Sequence, residues 1–198
     1  MAANLILMAG LPASGKSTFA SYAAKELGLP VIEKDRIKEY LFDTVGFRTY
    51  EEKTKLDIAA SDIMMYTAAC ILERGGSVIL DNNFEDRNLP HLRELVASNP
   101  CNVVTVRFAG DIRAIYGRFL ARDRDPERHP GHVITTCWPQ DGKNTIDYPV
   151  ITLEEFEAKF RRRGTFGFGM GTVIEVDATD PAALSYPDIL SQLRRTLV

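Results

Sequence analysis

The chain has 198 residues, 45% of them hydrophobic, and a formal net charge of −3; this suits one globular domain over 1–198 and speaks against a broadly basic nucleic-acid-binding surface. Cys70, Cys101 and Cys137 are odd in number, widely spaced and without metal-ligand spacing, so free thiols in a reducing, cytoplasmic setting are expected. No run approaches the roughly 20 apolar residues of a membrane-spanning helix, and the N-terminus lacks the basic region of a signal peptide.

Taken in chain order, short apolar runs bounded by turn residues alternate with helical periodicity, which predicts an α/β fold whose parallel sheet is covered by helices on both faces. Five strands are expected, at 4–9, 30–33, 77–80, 102–108 and 172–176. Helices are expected at 16–27, 36–42, 51–74, 89–97, 112–122, 153–162 and 187–197. The first strand runs into Gly-Leu-Pro-Ala-Ser-Gly-Lys-Ser at 10–17, a complete G-x-x-x-x-G-K-[ST] phosphate-binding loop between a strand and a helix. In such a loop the backbone N–H groups converge on a polyphosphate, the lysine reaches its β/γ-phosphates and the following hydroxyl ligates Mg²⁺. Gly10, Pro12, Ala13, Ser14, Gly15, Lys16, Ser17 and Thr18 are therefore the candidate cradle of a nucleoside triphosphate. The helix that follows adds its partial positive charge, and Gly28 is its expected stop.

In open parallel sheets ligands bind beyond the carboxyl ends of the strands, so the polar residues there are the next candidates. The second strand runs into Glu33-Lys34-Asp35-Arg36. A carboxylate at Asp35 would face the γ-phosphate and accept a proton from a substrate hydroxyl, although an Asp here is also a good helix N-cap. Lys38 is a candidate contact to the acceptor. The third strand delivers Asp81, placed to hold Mg²⁺ or its water beside Ser17, with Asn83 as a weaker companion on the substrate side; as an alternative, Asp81 starts a turn. Further on, Arg113, Arg118, Arg122, Arg124 and Arg128 crowd into a short stretch. Arg118 and Arg122 are one helical turn apart and converge on one side, the arrangement of a mobile lid that neutralises charge on the moving phosphoryl group. The interleaved Asp111, Asp123, Asp125 and Glu127 leave open a plain solvated face.

These residues resemble the group of small P-loop kinases that contains polynucleotide 5′-hydroxyl kinases, zeta-toxin-like kinases and chloramphenicol phosphotransferase. The matching pieces are 10–18, Lys-Asp-Arg-Ile-Lys at 34–38, Val-Ile-Leu-Asp-Asn-Asn at 78–83, and the segments at 118–122 and 128–132. They cover the first two thirds of the chain. The resemblance implies a three-layer, nucleoside-monophosphate-kinase-like fold with an arginine-rich lid at about 122–150, ATP and Mg²⁺ as cofactors, and Asp35 as base. It further implies Asp81 working with Mg²⁺, Arg118, Arg122 and Arg128 over the triphosphate, and Asp177 and Thr179 in the turn that lines the adenine pocket. Members often carry an arginine where this chain has Lys38, and 133–171 matches no part of the group.

The function expected is transfer of the γ-phosphoryl of ATP to a hydroxyl of a small-molecule acceptor. A polynucleotide 5′-hydroxyl acceptor is the alternative, disfavoured by the acidic balance; the short basic run at 159–163 also fits cations at a helix C-terminus. A second alternative is an NTPase or switch that transfers to water.

Overall fold

A computed structural model describes residues 3–140 and 151–198, so the 141–150 part of the expected lid lies outside the described residues. The first apolar run forms β1 (Asn4–Gly10), buried along its whole length. Its alternating side chains divide the core in two. Ile6 and Met8 pack with Phe19, Ala20 and Ala23 of α1 (Lys16–Leu27) and with Ile189, Leu190 and Leu193 of α7 (Tyr186–Arg194). Leu5, Leu7 and Ala9 pack with Met64, Ala68 and Leu72 of α3 (Tyr50–Leu72) and with Leu92 and Leu95 of α4 (Leu89–Ser98).

Between these helical layers lies a five-stranded sheet in the order β2-β3-β1-β4-β5, with β2 at Val31–Glu33, β3 at Val78–Asp81, β4 at Asn102–Ala109 and β5 at Thr172–Asp177. All four pairings are parallel. Parallel neighbours need crossovers, and the crossover helices cover both faces; the expected three-layer architecture is what forms. The registers Met8 to Asp81, Glu33 to Asp81, Gly10 to Phe108 and Ala109 to Asp177 bring the ends of all five strands to one edge. The strand order reverses between β1 and β3, and that opens a crevice at this edge.

Several bounds differ from the expected ones, with consequences for the site. β3 runs one residue further, so Asp81 ends a buried strand instead of starting a turn. α2 (Lys34–Thr44) follows β2 without a loop and has Glu33 as its N-cap, so Asp35 stands in the first helical turn and does not cap it. α6 (Leu153–Arg162) has the expected bounds. Thr152 and Glu155 close a capping box at its start, and Phe156 and Phe160 bury it against Leu11 and Ile115, the latter from α5 (Ile112–Asp123). Cys70, Cys101 and Cys137 are free and half-buried. Among the described residues no helix is long and apolar enough to cross a membrane.

Candidate active site

The loop after β1 owes its shape to three left-handed residues. Gly10 has φ 136°, and a Cβ there would lie 2.4 Å from the Phe108 carbonyl oxygen, so only glycine fits. Ala13 and Gly15 follow at φ 63° and 91°. A non-glycine residue held there costs on the order of 1–3 kcal/mol, a strain found mostly at functional positions, and such backbone reversals turn successive N–H groups into an anion-binding concavity. Gly15 is the N-cap of α1 without any side-chain cap, so the N–H groups of the first helical turn stay open. Lys16 is buried at the helix start, and the buried Ser14 hydroxyl has no partner. The loop is held to the end of β3 by Gly10 N–H donating to Asn83 O at 3.4 Å and Asn82 N–H to Met8 O at 3.3 Å.

At that strand end Asp81 is only 6% exposed, and one of its carboxylate oxygens has no hydrogen-bond partner. Burial raises its pKa, opposed by Lys16 and by a hydrogen bond with the Ser17 side chain. A buried, unsatisfied carboxylate oxygen next to a hydroxyl is a donor set suited to a hard divalent cation. Ser17 and Asp81 thus fit Mg²⁺. Glu33 stands beside Asp81 across the β2–β3 pair, its pKa raised by burial and then by Asp81.

Beyond the loop a cleft of about 190 Å³ brings together Pro12, Asp35, Lys38, Asn83, Arg122 and Arg128, residues the sequence singled out at widely separated positions. The side chain of Asp35 is 46% exposed in this cleft, and Lys38 Nζ lies 3.0 Å from its carboxylate. Desolvation pushes the Asp35 pKa up, but the surrounding basic groups, Lys38 foremost, outweigh that and hold the carboxyl well below the usual carboxylate range. Asp35 is ionised at neutral pH. Arg122 and Arg128 have buried Nε atoms with no partner, and their guanidiniums come no nearer than 3.8 and 3.9 Å to Asp123. Burial, followed by the neighbouring Arg128, lowers the Arg122 pKa. Two guanidiniums with unmet donors side by side are an arrangement that receives an anion.

Arg118 is placed differently from Arg122 and Arg128. Its guanidinium donates to three backbone carbonyls, those of Ala13 at 3.1 Å, Thr179 at 2.8 Å and Ala178 at 2.5 Å. With these donors engaged it ties the phosphate loop to the turn after β5 and does not converge with Arg122 over the cleft. Asp177 and Thr179 are likewise engaged in shaping that turn: Thr179 N–H donates to Asp177 and the Thr179 hydroxyl accepts from Asp111 N–H, both at 2.9 Å. They edge a shallow depression with Gly110 and Val176. The segment after α5 is docked on α2 and α3 rather than standing free. His129 bonds Asp43 at 3.0 Å and His132 bonds Glu39 at 2.9 Å, Ile134 and Trp138 pack with Phe42 and Phe47, and Phe47 and Trp138 exchange two backbone hydrogen bonds. Burial depresses the His132 pKa to about 4, so this ring is neutral in its contact with Glu39.

Sequence reasoning missed the other wall of the cleft. Asp57 on α3 pairs with Lys34 at 2.8 Å, Lys38 at 3.2 Å and Arg87 at 3.1 Å. Glu85 pairs with Arg87 and Arg163, each at 2.8 Å. Lys159 and Arg163 complete the lining. Nothing local marks Asp57, which sits among apolar helix neighbours. The only signal for Lys159 and Arg163 was the run at 159–163, and its four-residue spacing puts those two on one helical face.

The sequence pattern of the AAA domain family matches residues 5–136, a span that holds the loop, Asp35, Asp81 and all three arginines. A shikimate kinase of Paracidovorax citrulli is 34% identical over 86 residues, which are 38% of this chain and 45% of that protein, so the match spans under half of the curated relative's length. Among solved structures, a candidate kinase from Chloroflexus aurantiacus J-10-fl superposes with a TM-score of 0.82 at 27% identity over 100% of both chains. A gluconokinase from Sinorhizobium meliloti 1021 superposes with a TM-score of 0.54 at 19% identity, over 98% of this chain and 92% of that one. At that identity it shows the shared P-loop-kinase-like fold alone.

Proposed function

The chain belongs to the AAA domain family, and from that premise we propose that it is an ATP-dependent kinase moving the γ-phosphoryl of ATP to a hydroxyl of a small-molecule acceptor. The observation that carries the proposal is the cleft beside the phosphate loop, where an ionised Asp35 faces the unmet donors of Arg122 and Arg128. A switch that only binds nucleotide has no use for an ionised carboxylate opposite two such guanidiniums. The kinase names of the relatives point the same way.

In this reading the backbone of 10–16 cradles the triphosphate and Lys16 reaches its β/γ-phosphates. Ser17 and Asp81 would hold Mg²⁺, which would supply charge neutralisation at the phosphate oxygens. Arg122 and Arg128 take up the charge on the transferring phosphoryl group. Asp35 accepts the acceptor hydroxyl proton as the bond from the acceptor oxygen to the γ-phosphorus forms and the bond from that phosphorus to the β–γ bridging oxygen breaks; the products are ADP, the phosphate ester and a proton passed on to solvent. Lys38 positions the carboxylate and keeps it ionised. Arg118 shapes the nucleotide side by holding the backbone of the phosphate loop and of the turn after β5.

Within the polynucleotide-kinase, zeta-toxin and chloramphenicol-phosphotransferase-like group we assign the chain to the small-molecule side. The cleft is small, and His132 of the docked 129–138 segment forms part of its wall. The three free thiols suit action in the cytoplasm. The test is ADP formation by the purified chain against sugars, hydroxy acids, nucleosides, antibiotics and 5′-hydroxyl oligonucleotides. One small-molecule class is expected to stimulate ADP formation, and Lys16→Ala to abolish the signal. Equal ADP formation with and without every acceptor would overturn the reading in favour of an NTPase.

A further inference from the structure

The Asp35 cleft does not end at Asp35. A second cavity of about 230 Å³ continues from it, away from the phosphate loop; the two share Lys38, Asp57, Arg87, His132, Lys159 and Arg163, and the second adds Tyr50, Lys53, Thr54 and Thr135. Its charges do not balance. Asp57, its one carboxylate, is already shared among Lys34, Lys38 and Arg87, and His132 is neutral. Arg163 makes one ion pair among the described residues, with Glu85 at 2.8 Å. Lys159 makes no ion pair among the described residues. Lys53 Nζ donates only to neutral groups there, the carbonyls of His132 at 3.1 Å and Ile134 at 2.5 Å.

We propose that this cavity is the acceptor's anion subsite: the molecule phosphorylated carries a carboxylate or phosphate group that seats between Lys53, Lys159 and Arg163, with its hydroxyl at Asp35. Lys53, Lys159 and Arg163 are half-buried, and cations drawn partly out of water normally come with counter-charges, because desolvating an unpaired charge is costly. Here neither Lys53 nor Lys159 makes an ion pair among the described residues, Glu85 and Asp123 acting on Lys159 only from beyond pairing distance, and the ligand supplies the missing charge. Crowding by like charge acts on both lysines: burial first, then Lys38 and Lys159, depresses Lys53 to about 8, and burial followed by Arg163 lowers Lys159. The end of α6, which carries Lys159 and is capped by Arg163, is held in place, since Arg163 O accepts from Asp86 N–H at 2.9 Å. Arg161, on the same helix, points outward, 68% exposed and paired with Glu157. The basic run at 159–163 thus divides by face into two pocket cations and solvated ones. The hydroxyl half of the proposal rests on the kinase reading; the anion half rests on the cavity alone.

Two measurements on the full-length chain test it. With the phosphate loop filled by saturating ADP and Mg²⁺, thermal stabilisation is titrated with inorganic phosphate in one arm and acetate in the other, standing for phosphorylated acceptors and hydroxy acids. At least one is expected to stabilise the protein saturably. Its apparent Kd is expected to rise about tenfold or more in Lys159→Gln, the loss of one charge-assisted contact, and to stay unchanged in Arg161→Gln. Stabilisation by neither anion, or equal affinity in wild type and Lys159→Gln, overturns the proposal. In the second measurement, ADP formation is compared for acceptors differing only in charge, an aldonic acid and an aldose 6-phosphate against the neutral aldose. Activity confined to a charged member, with its KM raised in Lys159→Gln and the KM for ATP unmoved, supports the subsite. Turnover of the neutral sugar with a KM indifferent to Lys159→Gln removes the subsite and leaves the kinase standing. Saturable anion binding lost in Lys159→Gln, without ATP turnover on any acceptor, keeps the subsite and removes the kinase.

Discussion

The two halves of the cleft are built in opposite ways. The donor half, around Lys16, Ser17 and Asp81, comes from one unbroken loop plus one strand end, and its shape is a backbone shape: left-handed residues at 10, 13 and 15 and an uncapped helix start. The acceptor half takes single side chains from the starts of α2 and α3, the turn after β3, the segment after α5 and the end of α6, and it is held by shared charges, with Asp57 serving three cations and Glu85 two. A backbone cradle tolerates side-chain change around it, whereas a charge network fails where one member is lost. The donor half therefore belongs to any protein that binds a triphosphate, and the acceptor half is where this chain's own chemistry is written.

The largest effect expected from breaking that contrast is on turnover. Asp35→Asn should lower kcat by roughly 10²–10⁴, the range for loss of a general base, and leave thermal stabilisation by ADP and Mg²⁺ intact. Lys16→Ala should lose both turnover and that stabilisation. An Asp35→Asn protein with full turnover would show that the acceptor half does not supply the base.

Next comes stability. Asp57→Asn should destabilise the fold by roughly 2–3 kcal/mol, below the full cost of breaking a buried pair because Asp57 is 22% exposed, since it leaves Lys34, Lys38 and Arg87 without their shared counter-charge. Urea unfolding measures this. An unchanged midpoint would mean that the network is ornamental and that the acceptor half is as tolerant as the donor half.

A pH dependence of similar size is also expected. His132 is held near 4 when folded against an ordinary 6.5, so between those values the unfolded chain binds more protons than the folded one. The neutral ring's contribution is complete above about pH 6.5 and is lost as pH falls towards 4, by roughly 3 kcal/mol for a shift of this size. Unfolding at pH 4.5 and pH 7 should therefore show a larger loss for the wild type than for His132→Gln. Equal losses would mean that the docked segment opens before the ring titrates.

The sequence by itself determined the sheet, the helices on its two faces and the triphosphate loop. Strand and helix periodicity are local, and the loop motif is a contiguous run whose glycines and lysine are read in order. Asp35 and Asp81 were legible because strand ends share one edge of a parallel sheet, even though the helix starting at Lys34 and the strand ending at Asp81 were each misjudged by one or two residues. Only the tertiary structure decided which arginines face the cleft. Arg118 and Arg122 are neighbours on a helix, yet one reaches the carbonyls of Ala13, Ala178 and Thr179 and the other keeps unmet donors. Asp57, Lys53, Lys159 and Arg163 are the stronger case. Each looks like an ordinary surface charge in sequence, because a charge pocket exists only where elements a hundred residues apart pack together, and no local pattern encodes which charges will meet or which will be left over.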